Sequence, residues 1–152
     1  MIKVLFVCHG NICRSTMAEF VFKDMVSKAG IADDFHIESA ATSREELGND
    51  TDPRTKRKLD ENGIPYTKRR ARQMTKEDYE SFDYIIGMDD ANIRNIIRIV
   101  GEDAEHKISK LAEFAGKDKS IADPWYTGNF DITYDDVVEG CTGLLEYFRR
   151  VR

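Results

Sequence analysis

Near its start the chain carries a short segment in which a thiol and a guanidinium stand close together. Five residues separate Cys8 from Arg14. A loop of that length can wrap its backbone N–H groups around one tetrahedral anion. Arg14 adds a planar fork that holds two phosphate oxygens at once, which a lysine cannot do. The spacing therefore predicts a phosphate-binding loop with Cys8 as nucleophile. Its members are Cys8, His9, Gly10, Asn11, Ile12, Cys13, Arg14 and Ser15.

The residues between the thiol and the guanidinium fit such a loop. Gly10 permits a close backbone approach or a positive φ, and Asn11 tolerates the left-handed region. The Ser15 hydroxyl can donate to the Cys8 sulfur, which favours the thiolate and helps it leave again. The plainer alternative is a buried cysteine at a strand end. That alternative gives no reason for Gly10, Asn11 and Ser15 to occur together.

The elements around this loop alternate between strands and helices. Apolar segments predict strands over 2–8, 35–41, 83–88 and 107–110. Helices are predicted after Ser15, from Asp52-Pro53 to Gly63, over 90–100 and along the apolar stripe 134–151. Thr16 and Glu19 resemble a capping box for the first helix. The alternation predicts a four-stranded parallel sheet with helices on both faces, in one domain over 1–152.

This architecture gives Cys8 a position suited to chemistry. In open parallel sheets, ligands bind beyond the carboxyl ends of the strands. Cys8 is the last residue of the first predicted strand. The phosphate-binding loop is therefore expected at the edge of the sheet where ligands normally bind.

Composition excludes several classes of protein. A net charge of -5 and a pI near 5.3 argue against nucleic acid as a partner. We expect no membrane association, because the longest apolar run is far shorter than a span. The start of the chain does not read as a secretory signal, and the three cysteines form no disulfide framework, so we expect a cytoplasmic protein. No histidine or cysteine pair has zinc-ligand spacing, so no metal or other cofactor is expected.

The sequence resembles the low-molecular-weight protein tyrosine phosphatase family over nearly its whole length. The likeness covers the loop 8–15, the segments 39–43, 52–54, 71–73 and 88–89, and Asp123-Pro124 with the aromatics that follow. The resemblance implies the same four-stranded fold and a metal-free mechanism through a phosphocysteine. It also implies phosphotyrosyl protein or a small aryl phosphate as substrate, phosphate-like anions as inhibitors, and a monomer or weak homodimer.

The resemblance also assigns catalytic roles. Cys8 becomes the nucleophile and Arg14 the group that binds the phosphate. Asp123 becomes the general acid and then the base, although Asp-Pro taken alone is usually just a turn. Trp125 and Tyr126 become walls that stack on the substrate ring.

Further roles implied by the resemblance concern the loop itself. Asn11 holds its shape, and Asp89 supports the same region. Cys13 corresponds to the second loop cysteine of the family, which can form a reversible disulfide with Cys8. The alternative is a small packing residue, and the sequence leaves both roles open. His9 is expected at the pocket mouth.

Three positions depart from the family pattern. Thr16 replaces a common proline, and the loop is expected to survive this. Glu45 stands where many members carry an aromatic wall residue, so ring stacking and a preference for acidic peptides are in question. Arg69 stands where some members have a histidine that supports the loop, so that interaction is expected to be missing.

Two rival functions are compatible with the loop. A thiol-dependent arsenate reductase would need further cysteines, but none lies between Cys13 and Cys141, and Cys141 falls on the core face of the last helix. A non-catalytic phosphate-binding module would be expected to lose Cys8, Arg14 or Asp123. A basic cluster is interpreted as a solvated face. It consists of Lys68, Arg69, Arg70 and Arg72.

Overall fold

The computed structural model describes residues 1–151. Its sheet has four parallel strands in the order β2-β1-β3-β4. The strands are β1 (Ile2–Cys8), β2 (Phe35–Ala41), β3 (Tyr84–Gly87) and β4 (Ile108–Lys110). The predicted parallel sheet is confirmed, and the predicted strand bounds differ from these by no more than one residue.

The helices lie on both faces of the sheet. They are α1 (Arg14–Lys28), α2 (Pro53–Glu61), α3 (Lys76–Ser81), α4 (Asp90–Val100), α5 (Pro124–Thr127) and α6 (Phe130–Val151). Short 3-10 turns occupy Ala32–Asp34 and Leu111–Ala115. The sequence patterns did not predict α3 or α5, because helices this short carry too few turns for an apolar period to show. No helix formed by residues 1–151 combines the length and the hydropathy needed to span a bilayer.

The central strand is buried because side chains of β1 pack on both faces of the sheet. Phe6 contributes to a core with Phe22 of α1 and Phe148 of α6. Leu5 points to the other face and belongs to a second core with Ile96 of α4. These two cores fix the strand ends, and therefore fix where the loop after Cys8 begins.

The predicted capping box of the first helix is wrong. The helix begins at Arg14, so Thr16 lies within its first turn and its hydroxyl donates to the Cys13 carbonyl at 3.0 Å. Glu19 instead accepts from Lys23 Nζ at 2.5 Å and from the Ser39 hydroxyl. The N-cap is Cys13 instead of Thr16, so the helix begins three residues earlier than the capping pattern indicated and Arg14 is its first residue.

Candidate active site

The loop between β1 and α1 folds back onto the sulfur of Cys8. Asn11 has a φ of 59°, in the left-handed region, and its backbone N–H donates to Cys8 Sγ at 3.3 Å. Ser15 Oγ lies 3.1 Å from the same sulfur. Cys8 is 3% exposed. The thiol is thus held at the floor of the pocket with two hydrogen-bonding groups directed at it.

The side chain of Asn11 organises these groups. Its Nδ2 donates to Ser15 Oγ at 2.8 Å, which leaves the serine hydroxyl hydrogen free for the sulfur whenever Cys8 is a thiolate. Its Oδ1 accepts from Arg69 Nη2 and from the Arg72 backbone N–H. Asn11 is fully buried. A buried amide satisfied in this way can hold the strained backbone of its own residue.

Arg69 therefore supports the loop, and the expectation that this interaction would be missing is wrong. The Arg69 side chain is longer than that of histidine and reaches Asn11 from the segment after α2. The sequence predicted only that the histidine contact would be lost. Burial is the main reason why the pKa of Arg69 lies below its ordinary value. The basic cluster is accordingly divided. Lys68 and Arg70 are exposed as predicted, while Arg69 and Arg72 bind Asn11 and Asp78.

Arg14 lies at the centre of the site and is only 2% exposed. Its Nη1 donates to Asp89 Oδ2 at 2.6 Å and to the Ile121 carbonyl at 2.9 Å, and its Nη2 lies 3.4 Å from Asp123 Oδ2. Burial lowers the pKa of Arg14, but Cys8 and the two carboxylates raise it more, so the net pKa lies above the ordinary value. The guanidinium keeps its charge next to the thiol.

Each carboxylate that holds Arg14 is itself fixed by a helix start. Asp89 caps α4, where its Oδ1 accepts the Asn92 backbone N–H at 2.7 Å. Asp123 caps the short helix α5, where its Oδ1 accepts the Trp125 backbone N–H at 3.0 Å. The predicted role of Asp89 as a support in this region agrees with these contacts. Asp123-Pro124 is a helix start rather than a simple turn.

These groups share one cavity at the carboxyl edge of the sheet. Its lining consists of Cys8, His9, Gly10, Ile12, Cys13, Arg14, Glu45, Glu46, Asp123, Trp125 and Tyr126. Two predicted loop members, Asn11 and Ser15, lie behind this lining and act through hydrogen bonds. The structure thus brings together every predicted site residue, in the cavity wall or directly behind it.

The rim of the cavity has two unlike walls. Trp125 and Tyr126 form the aromatic side and are 54% and 81% exposed. The second wall contains Glu45, whose Oε2 lies 2.9 Å from His9 Nε2, which places His9 at the mouth as predicted. Beside it, Glu46 packs over the loop, where a Cβ added to Gly10 would lie 3.3 Å from Glu46 Cγ. The absence of a side chain at Gly10 therefore allows Glu46 to pack closely against the loop.

Cys13 lines the same cavity as Cys8 and lies beside Asp52 at the start of α2. Burial, followed by the charges of Asp52 and Cys8, raises the pKa of Cys13 to about 12. Asp52 caps α2 by accepting the Arg54 backbone N–H at 2.8 Å. Sequence reasoning did not connect this cap with the loop, since only the fold brings α2 beside Cys13. The Cys8–Cys13 disulfide stays a prediction.

Two simpler expectations concern residues outside the pocket. Cys141 lies in the core, as expected, and is fully buried, which raises its pKa. Within residues 1–151, no group of three or more His, Cys, Asp or Glu side chains is arranged to hold a metal ion.

The fold and the loop together indicate an enzyme that handles phosphate esters at the edge of a parallel sheet. The family model described as low molecular weight phosphotyrosine protein phosphatase matches residues 3–152. The chain belongs to this family, whose members are phosphoric monoester hydrolases.

Relatives support the same assignment. The low molecular weight phosphotyrosine protein phosphatase of Schizosaccharomyces pombe is 46% identical over 131 residues, which cover 84% of this chain and 83% of that protein. The crystal structure of YfkJ from Bacillus subtilis superposes with a TM-score of 0.96 at 36% identity, covering 100% of this chain and 97% of that one. The drosophila arginine phosphatase DARP is similar too, with a TM-score of 0.89, 29% identity and coverage of 97% and 98%.

Proposed function

We propose that the protein hydrolyses phosphotyrosyl residues without a metal, through a phosphocysteine on Cys8. Arg14 binds the phosphoryl group and Asp123 serves as general acid and base. The observation that carries this proposal is the placement of Arg14. Its two terminal nitrogens reach Asp89 and Asp123, while its charge lies beside the Cys8 thiol in the same cavity.

In the first step the Cys8 thiolate attacks phosphorus. The S–P bond forms as the P–O bond to the tyrosine ring breaks, and protonated Asp123 gives its proton to the departing phenolate oxygen. Backbone N–H groups of the loop and the Arg14 guanidinium stabilise the charge on the three remaining oxygens. The walls formed by Trp125 and Tyr126 orient the ring so that its oxygen meets Asp123.

In the second step the Asp123 carboxylate takes a proton from a water molecule. The water oxygen forms a bond to phosphorus while the S–P bond breaks, which releases inorganic phosphate. The leaving thiolate accepts hydrogen bonds from the Asn11 backbone N–H and the Ser15 hydroxyl. The same loop should bind phosphate and vanadate as competitive inhibitors, because both anions match the group for which it provides donors.

The alternative reduction of arsenate finds less support. A reductase of this kind passes its oxidation through a second and third thiol. Besides Cys8 and Cys13 the chain has only Cys141, which is fully buried in the core. All three cysteines are free thiols, in keeping with the reducing cytoplasm predicted from the sequence. A non-catalytic module is disfavoured because Cys8, Arg14 and Asp123 are present and adjacent.

The test uses the purified protein with a phosphotyrosyl peptide in the presence of EDTA. Release of phosphate is expected in EDTA, and strict dependence on an added metal would rule out the metal-free mechanism. Cys8→Ser should abolish turnover while retaining phosphate binding, measured by calorimetry. Cys141→Ser is the matched control, because it replaces another buried thiol that lies outside the pocket. Continued turnover by the Cys8→Ser variant would show that another group is the nucleophile.

A further inference from the structure

The rim of the pocket carries two carboxylates in addition to its aromatic wall. Glu45 and Glu46 both line the cavity. The side chain of Glu45 is 70% exposed, and Glu46 is half-buried. The pocket must admit a phosphate dianion, so two negative charges at its mouth oppose entry of the substrate. They are explained if they contact another part of the substrate, beside the phosphorylated residue.

Neither carboxylate has a lysine or arginine partner among the described residues. Glu45 contacts His9 Nε2, and a histidine is charged only when protonated. Glu46 accepts from the neutral Asn49 Nδ2 at 2.6 Å. Within residues 1–151, neither carboxylate is therefore paired with a permanently charged side chain.

Two arginines close to the pocket have other carboxylate partners. Arg14 binds Asp89 and Asp123 at the floor. Arg54 lies over the Trp125 ring at 5.5 Å and pairs with Asp52 at 2.9 Å. Two further arginines lie nearby, but neither lines the cavity. Arg98 occupies the adjoining groove beyond His9, and Arg44 is exposed on the segment before Glu45.

We infer that Glu45 and Glu46 select phosphotyrosyl peptides that carry lysine or arginine next to the phosphotyrosine. This inference rests on the proposed function, because the phosphotyrosine must occupy the cavity for its neighbours to reach the rim. The phosphoryl group binds Arg14 and the loop, and the ring lies along Trp125 and Tyr126. A basic neighbour in the peptide then contacts Glu45 and Glu46 at the rim. An acidic neighbour meets two like charges there and binds less well.

The size of the effect follows from the exposure of the wall. An ion pair at such a surface is worth about two- to fivefold in affinity. Contributions from two carboxylates multiply when they act independently, which gives roughly four- to twenty-fivefold between basic and acidic neighbours. The preference should weaken at high salt, since exposed charges are screened.

The experiment compares phosphotyrosyl peptides that are identical except for Lys, Gln or Glu on both sides of the phosphotyrosine. The quantity measured is the ratio of kcat/KM for the Lys peptide to kcat/KM for the Glu peptide. Wild type should give a ratio of about four to twenty-five, and the Glu45→Gln/Glu46→Gln double variant a ratio close to one. Glu146→Gln is the matched control. It removes one exposed carboxylate from the far end of α6, and its ratio should equal that of wild type.

Several results would overturn the inference. One is a wild-type ratio near one or below it, and another is a ratio that survives in the double variant. A phosphoarginine peptide forms a separate arm. If the double variant hydrolyses the phosphoarginine peptide at a different rate but keeps the wild-type Lys-to-Glu ratio, the two carboxylates bind a phosphorylated guanidinium instead. Failure of the proposed function would look different, because wild type would then hydrolyse none of the phosphotyrosyl peptides.

Discussion

Arg69 and Asn11 are 58 positions apart in the chain, and a hydrogen bond from Arg69 Nη2 to Asn11 Oδ1 joins them. The bond holds the backbone of Asn11 at a φ of 59°, which is unfavourable for residues other than glycine. Through Asn11 it also fixes the Ser15 hydroxyl against the Cys8 sulfur. An arginine outside the cavity thus positions the groups that stabilise the nucleophile.

The first prediction concerns this positioning. Arg69→Met keeps the apolar stem and removes the donors, so a buried acceptor loses its charged partner. Such a loss costs about 1–3 kcal/mol, and kcat/KM should fall roughly tenfold. If Arg69 acts through the leaving thiolate, kcat should fall more than KM rises. Arg70→Met is the control, since Arg70 is exposed and adjacent in sequence. Equal kinetics for the two variants would argue against a positioning role.

The second prediction concerns Asp123. Asp123→Ala removes the proton donor, and general acids contribute about a hundred- to ten-thousandfold. The loss should be largest for phenyl phosphate and much smaller for para-nitrophenyl phosphate, whose leaving group needs less protonation. The measurement is single-turnover phosphorylation of Cys8, with Asp135→Ala as a control at an exposed site. An equal loss for both substrates would remove Asp123 from this role.

The third prediction concerns oxidation of the thiols. Peroxide should inactivate the wild type reversibly, through a Cys8–Cys13 disulfide, whereas Cys13→Ala should lose activity irreversibly. The pKa of Cys13 is raised to about 12, so its reactive thiolate is scarce at neutral pH. As the pH rises toward that value, the thiolate fraction of Cys13 grows about tenfold per pH unit. Disulfide formation should therefore accelerate with increasing pH. Mass spectrometry of quenched samples measures the rate, and a rate independent of pH would contradict this assignment.

The fourth prediction concerns Asp52, which caps α2 and pairs with Arg54 at 2.9 Å. Burial raises the pKa of Asp52, but hydrogen bonds from Arg54 lower it more, so the net pKa lies below 3.8. A depressed pKa contributes stability that is present above the unfolded value and lost as pH falls through the folded value. Asp52→Asn should therefore lower the free energy of unfolding by about 1 kcal/mol at neutral pH.

The Asp52 effect should shrink in acid, where the wild-type carboxylate also becomes neutral. Urea unfolding at a series of pH values between neutrality and strong acid measures it. Asp60→Asn on the same helix is the control, because within residues 1–151 Asp60 has no ion pair and accepts instead from the Tyr66 hydroxyl. A stability difference that stays constant down to strong acid would show that the cap acts without its charge.

Much of this site could be predicted from residue types and spacing. The loop from Cys8 to Ser15 consists of consecutive residues, so its nucleophile and its phosphate-binding groups can be recognised from residue types and spacing alone. The strand before it and the helices after it follow from apolar periodicity, which acts over a few turns. Short helices were not predicted, because they contain too few turns to show an apolar period. The helix α5 was missed for this reason, although Asp123 and Pro124 at its start are a typical cap and first-turn pair.

The amino-acid sequence by itself determined a parallel α/β sheet, an anion-binding loop and a cysteine at the strand end. Only the tertiary structure decided which distant groups meet that loop. Arg69 supplies a hydrogen bond to the loop that was expected to be missing, Asp52 lies beside Cys13, and Glu45 and Glu46 share one cavity with the aromatics. The reason is physical. Hydrogen bonds and ion pairs between segments depend on how the buried faces of the sheet and helices pack, and no local pattern records that packing.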